Sequence, residues 1–178
     1  MNNREIAGIL FNISSILETH GGNSYRIRAY RRAARNLLRL RHQMADRARA
    51  GQTLGVPFLG KRLTQKITQL AVEGHSDFYD ELCGVLPTAQ QALLHIQGIG
   101  PMLAQRITDS LHAEDSDKLL KRAALVGLQR VPGIGPKRAS RIMEQLPEQH
   151  QALNNVVRVN NVLYVQESLW QRERKQAA

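Results

Sequence analysis

Val131-Pro132-Gly133-Ile134-Gly135-Pro136-Lys137-Arg138 is the stretch of this chain best equipped for chemistry, and the chemistry is the capture of an anion. Two glycines spaced i, i+2 let the backbone turn sharply and let an outside group approach with no Cβ in the way. Pro136 suits the first turn of a helix, where its missing N–H costs nothing. The N–H groups of the turn and of the next first turn then face outward, at the positive end of the helix dipole. Lys137, Arg138 and Arg141 add formal charge. A phosphate oxygen fits this combination. The net charge of +10 on 178 residues points to a polyanion as its carrier.

The device occurs twice. Ile96-Gln97-Gly98-Ile99-Gly100-Pro101-Met102-Leu103-Ala104-Gln105-Arg106-Ile107 aligns without a gap on the segment 35 residues downstream. A single G-x-G carries little, but two long matches in register make an internal repeat. The repeat resembles the helix-hairpin-helix motif, which binds the DNA backbone without sequence preference. That resemblance implies that Gly98, Gly100, Gly133 and Gly135 present amides to phosphates. Met102, Arg106, Lys137, Arg138 and Arg141 would complete the contact surface. The resemblance also implies a monovalent cation, Na+ or K+, on turn carbonyls, here those of Ile96, Ile99, Val131 and Ile134. No other cofactor is expected.

These turns need helices to hold them. Asn2-x-x-Glu5 has the form of a capping box, and Ile6, Ile9, Leu10, Ile13, Ile16 and Leu17 follow as one apolar helix face that Gly21-Gly22 ends. A second helix is expected from Ser24 to about Leu40, burying Ile27, Tyr30, Ala34, Leu37 and Leu38. Between Thr19 and Ala45 there are seven arginines and no acidic residue. Arg28, Arg32, Arg35 and Arg39 share one side of that helix. Like charges so placed repel and destabilise an isolated helix, so the stripe suggests a partner that brings negative charge. A solvated basic face is the plainer alternative.

The segment H-G-G-N-S-Y-R-I-R-A-Y-R-R-A-A-R-N-L-L, beginning at His20, resembles the start of the small N-terminal domain of family X DNA polymerases, particularly the bacterial members. That domain has four short helices, with a hairpin joining the third to the fourth. The matching piece here is Leu54-Gly55-Val56-Pro57-Phe58-Leu59-Gly60-Lys61-Arg62-Leu63, with Phe58 where the first glycine belongs. A β-carbon and a phenyl ring restrict φ and crowd a phosphate, which argues against gripping by this first hairpin. Some members carry a lyase activity in this domain, whose lysine forms a Schiff base with the sugar aldehyde left at a cut abasic site. Lys66 matches that lysine, while Arg62, Arg26 and Tyr30 match the positions that hold the 5′-phosphate. Partial burial and the cations Lys61 and Arg62 would free its amine. A lysine whose stem lies along the core while its head reaches solvent explains the same pattern.

Gly74 closes the helix of Lys66. Ser76 or Asp77 caps the next, which carries Phe78, Leu82 and Val85 and which Pro87 stops. Thr88 to Ile96 leads into the second hairpin. Ser116 and Asp117 are expected to cap a linking helix from Lys118 to Val126. In the tail, Val156, Val157, Val159, Val162, Leu163 and Val165 flank Asn160-Asn161 as a short β-hairpin, followed by a helix anchored by Trp170. The expected fold is mainly α, with helix-hairpin-helix repeats and this short C-terminal β-hairpin and helix. The divisions are 1–86, a helical domain with a degenerate hairpin; 87–147, the tandem hairpin domain; and 148–178, the tail.

Other chemistries find little support. The polymerases' palm needs a carboxylate triad, and the residues after Pro147 are too few for one, so polymerase activity is not expected. Asp115-Ser116-Asp117 reads as helix capping. One cysteine, Cys83, permits no internal disulfide and fits a reducing compartment. The six histidines are scattered without metal-ligand spacing. No window is apolar enough to span a membrane and no secretory leader is evident. The expectation is a cytoplasmic, nucleoid-associated protein that partners duplex or gapped DNA and no membrane. A protein partner or self-association through 156–170 is the role the tail suggests. Few aromatics look exposed, which counts against single-stranded RNA.

Overall fold

The Asn2 side chain accepts from the N–H groups of Arg4 and Glu5, and Glu5 returns the bond to the Asn2 N–H at 2.9 Å, so the capping box is complete. In the computed structural model, which describes residues 1–151, this cap opens α1 (Asn3–Thr19). Ile6, Leu10, Ile13 and Ile16 on α1 are fully buried. At about 2 kcal/mol for each such side chain removed from water, this face is what the front of the chain condenses around. α2 (Ser24–Arg39) packs along α1, with α4 (Lys61–Glu73), α5 (Asp77–Gly84) and α7 (Pro101–Ser110) also against it. The buried cluster runs without a break from Ile6 to Leu146.

Between α2 and α4 lies α3 (Met44–Arg49), followed by the first hairpin turn. The order of four short helices with a hairpin before the fourth is therefore present. α6 (Thr88–Leu94) and α7 flank the second hairpin. α8 (Ser116–Arg122) and α9 (Leu125–Gln129) lead to the third, whose second helix, α10, runs over 136–151. No strand occurs among the described residues. The β-hairpin expected at 156–165 and the helix of Trp170 lie outside them.

Several expectations need correction. Leu38 is not on the buried side of α2 but 51% exposed, because adjacent residues lie 100° apart and Leu37 takes the core position. Val85 stands just beyond α5 and is exposed. The single linking helix is two, broken at Ala123, whose ψ of 116° leaves the helical region. Its cap is Asp115, which accepts from the Lys118 N–H at 2.7 Å; Ser116 is the first helical residue and its N–H donates to Thr88 Oγ1 at 3.2 Å.

Candidate nucleic-acid interface

The second and third hairpins have the same backbone. Gly98 and Gly133 sit at φ 88° and 94°, in the left-handed region that residues with a Cβ enter at a cost. The Ile99 N–H closes on the Ile96 carbonyl at 3.1 Å, and the Ile134 N–H on the Val131 carbonyl at 3.0 Å. Gly100 and Gly135 then begin the helices, each accepting two N–H bonds from the first turn. Among the described residues, the backbone N–H groups of Gly98, Gly100 and Met102, and of Gly133, Gly135 and Lys137, have no acceptor. Four buried apolar residues, Ile96, Ile99, Val131 and Ile134, root the turns in the core. Gly98, Met102, Gly133, Gly135 and Lys137 are exposed on this fixed base, while Gly100 is half-buried beside Asn12 of α1. Lys137 and Arg138 are exposed beside the third turn, where they line a shallow concavity with Gly135 and Pro136. Met102 is the exposed apolar residue at the equivalent position of the second.

The arginines of the two hairpins divide their work. Arg106 Nη1 donates to the Pro132 carbonyl at 2.7 Å, and Arg141 Nη1 donates to the Gln97 carbonyl at 3.1 Å. Each thus reaches across to the residue before the other hairpin's first glycine. Arg138 Nη1 donates to the Gly133 carbonyl at 2.7 Å within its own turn. The guanidinium groups of Arg106 and Arg141 lie so near Gly133 and Gly98 that a Cβ there would come within 3.5 and 3.8 Å of them. Arg106 and Arg141 are expected from the sequence to complete the contact surface. The geometry adds a mutual clamp that sets the spacing of the two turns.

The carbonyls named for a monovalent cation are compatible with one. Those of Ile99 and Ile134 accept no hydrogen bond among the described residues, and those of Ile96 and Val131 accept one N–H each, leaving a lone pair. No group of three or more histidine, cysteine or carboxylate residues is placed to hold a metal ion among the described residues.

Arg28, Arg32, Arg35 and Arg39 are all exposed along α2. None of the four has a carboxylate partner among the described residues; Arg31, on the neighbouring side, pairs with Glu18. Arg28 lies over the Tyr25 ring at 4.8 Å and Arg32 over the Phe58 ring at 5.8 Å. Lys61 and Arg62 are exposed in the first turn of α4, at the mouth of the first hairpin. Phe58 keeps the left-handed turn that its position demands, at φ 59°.

Lys66 is placed differently from its cationic neighbours. Its Nζ lies 3.6 Å from the centre of the Phe78 ring, and Arg26 covers the same ring at 5.4 Å. Burial chiefly, and then the Arg26 charge, lower the Lys66 pKa, against the opposing pull of Glu81 and Asp77. Partial burial acts as expected, but the charge that assists it is Arg26, brought in from α2, and not Lys61 or Arg62. Tyr30 is only 5% exposed, its ring stacked on Phe78 at 6.2 Å. Its burial raises the phenol pKa, offset in part by Arg26. Tyr30 thus belongs to the wall of the Lys66 site, with little surface of its own. Phe78, which joins all three residues, was assigned to a helix face and nothing more by the sequence.

Two hairpins of this geometry, with a divergent one before them, define tandem helix-hairpin-helix domains. A family profile described as "Helix-hairpin-helix domain" matches residues 1–76, and one described as "SAM-like Helix-hairpin-helix tandem" matches residues 90–148. The chain is 34% identical over 90 residues to the Holliday junction branch migration complex subunit RuvA of Campylobacter jejuni, covering 51% of this chain and 49% of that one. It is 32% identical over 62 residues to RuvA of Photorhabdus laumondii, covering 35% of this chain and 30% of the relative. It is 24% identical over 150 residues to the DNA polymerase/3'-5' exonuclease PolX of Bacillus subtilis, covering 83% of this chain and 25% of that one. The chain spans about half the length of the Campylobacter relative or less of the others. It carries tandem helix-hairpin-helix domains, related to those proteins and consistent with the resemblance to the front part of bacterial family X polymerases. Among the described residues, no helix is long and apolar enough to cross a membrane.

Proposed function

We propose that this protein binds DNA through the phosphate backbone, with little preference for sequence, in DNA repair or another DNA-processing reaction. The observation that carries the reading is the pair of unaccepted amide clusters at Gly98–Met102 and Gly133–Lys137, fixed relative to each other by the exchange of Arg106 and Arg141. Two anion sites at one spacing suit two phosphates of a duplex, and Lys137 and Arg138 add charge where the third turn meets its strand. A Na+ or K+ on the carbonyls of Ile96 and Ile99, or of Val131 and Ile134, would place positive charge beside the same phosphates. The exposed arginines of α2 extend the basic surface. A cytoplasmic, nucleoid-associated protein follows from this reading. Fluorescence anisotropy with two duplexes of unrelated sequence and equal length tests it: dissociation constants within about threefold are expected. A hundredfold preference for one of them, or no binding to either, would overturn it.

A second reading has its own support. The lowered pKa of Lys66 and its seat on Phe78 beside Arg26 fit an abasic-site lyase, whose free amine attacks the sugar aldehyde while Arg26 and Arg62 hold the 5′-phosphate. Reduction with borohydride on an abasic substrate separates the two, since only a Schiff base is converted to a stable adduct. Docking of a protein partner through 156–170 is carried by the sequence alone, those residues being outside the described ones.

A further inference from the structure

Phe58 breaks the rule that the other two hairpins keep. It occupies the register position of Gly98 and Gly133, adopts a left-handed φ of 59° despite its Cβ, and leaves its ring 83% exposed. A bulky residue in that region is strained, and a large apolar ring in water adds no burial to offset the strain. The turn is held by its neighbours and not by the Phe58 ring: Leu54 is buried, Val56 and Leu59 pack against the core, and Asn36 Nδ2 donates to the Pro57 carbonyl at 3.3 Å. Strain and exposure at one site indicate a contact made with something else.

Its surroundings say what. Arg32 stands over the ring at 5.8 Å. Two turns earlier on the same side of α2, Tyr25 is 76% exposed with Arg28 over its ring at 4.8 Å. The side therefore alternates exposed aromatic, arginine, arginine, exposed aromatic, over roughly 10 Å of helix. Lys61 and Arg62 continue the charge beyond Phe58. Flat rings offer faces to nucleobases and the guanidinium groups offer charge to the intervening phosphates, the composition of a single-strand platform.

We propose that the first hairpin stacks on bases instead of gripping phosphates: Phe58 at its tip, with Tyr25 behind it, receives the unpaired bases of single-stranded DNA where a strand leaves a duplex. This rests on the reading of the other two hairpins as a duplex clamp. It sharpens that reading by giving the chain a preference for gapped or forked DNA.

The test uses the full chain, with plain duplex, a duplex containing a five-nucleotide gap with 2-aminopurine in it, single-stranded DNA and single-stranded RNA of the same sequence. Phe58→Gly suits the φ of the turn, so it should fold at least as well as the native chain. Its affinity for plain duplex should stay within about twofold, while its affinity for gapped and single-stranded DNA should fall about tenfold. The 2-aminopurine quenching seen with the native chain should disappear with it and return with Phe58→Trp. Equal binding of gapped DNA by the native chain and Phe58→Gly, with duplex binding intact, would overturn this proposal alone. Absence of binding to every DNA would overturn the duplex clamp and this proposal together. Tighter binding of the RNA than of the DNA, lost in Phe58→Gly, would overturn the assignment to DNA.

Discussion

Arg106 and Arg141 occupy the same position in the two C-terminal hairpins, and each closes on the turn of the other, at 2.7 Å to Pro132 and 3.1 Å to Gln97. The exchange makes a pseudo-twofold unit of two turns that lie far apart in sequence. A surface charge reaching for DNA would not need a carbonyl partner; a residue that spaces two phosphate sites would.

Replacing either arginine should therefore act on the fold as well as on binding. Arg106→Ala and Arg141→Ala should each lower unfolding stability by ~1 kcal/mol, the range for a hydrogen bond from a charged donor at a partly solvated site. The double variant should fall short of, or exceed, the sum, because both bonds hold one interface. Arg106→Lys is the discriminating variant. It preserves charge but not the reach and planar fork of the guanidinium, so chemical denaturation and duplex affinity should both resemble Arg106→Ala. Full recovery by lysine would make Arg106 a rim charge only.

Gly135 separates the fold from the phosphate contact. Its φ is outside the left-handed region, and a Cβ on it would meet nothing within 4 Å. Gly135→Ala should unfold within ~0.5 kcal/mol of the native chain, yet lose duplex affinity about tenfold where the methyl meets an approaching phosphate. Gly133→Ala, at φ 94°, should lose stability too, by ~1–2 kcal/mol. Unchanged DNA affinity in Gly135→Ala would place the phosphate elsewhere.

Lys66 makes a prediction with a pH sign. Its lowered pKa means that the free amine is populated at lower pH than for an ordinary lysine. If the lyase reading holds, the borohydride adduct should rise through a pH range below that of a model lysine, and Arg26→Ala, which removes the nearby positive charge, should shift that rise upward. Lys66→Ala should form no adduct. An adduct that survives Lys66→Ala would assign the chemistry to another amine.

Cys83 predicts alkaline instability. Burial, chiefly, pushes its thiol up from 9.0 to about 11, and raises the Tyr79 phenol, whose hydroxyl accepts from Asn12 Nδ2 at 3.0 Å. Well below pH 9 the thiol is protonated whether folded or not. Between 9 and 11 the unfolded chain sheds a proton that the folded chain keeps, so stability falls as pH rises. The melting temperature should drop across that window, and less steeply in Cys83→Ala. Identical slopes for the two chains would contradict the burial of the thiol.

What the sequence disclosed was what is local. The hairpins are written in consecutive residues and the repeat aligns them, so their glycines, rooted isoleucines and basic neighbours were legible. So was the capping box of Asn2 and Glu5. α3 was not, because its first N–H, that of Met44, is accepted at 2.8 Å by the side chain of Asn3 from the start of α1. No residue next to Met44 announces that cap. The same holds for the Lys66 site: Phe78, Arg26 and Tyr30 meet there from α5 and α2, and charge was expected from sequence neighbours instead. Exposure of Phe58 and Tyr25 could not be read from a count of aromatics, since hydrophobic type predicts burial and these two depart from it. The reciprocal arginines repeat visibly in sequence, but their acceptors are backbone atoms of the other hairpin.

The most direct measurement of the central claim is the affinity for a plain duplex as salt is raised from 50 to 200 mM. A backbone clamp releases counterions, so the dissociation constant should weaken by orders of magnitude, with log K linear in log salt. Removing Lys137 or Arg138 should reduce the slope by about one while weakening binding to all sequences alike. An affinity that stays flat across that range would contradict the account.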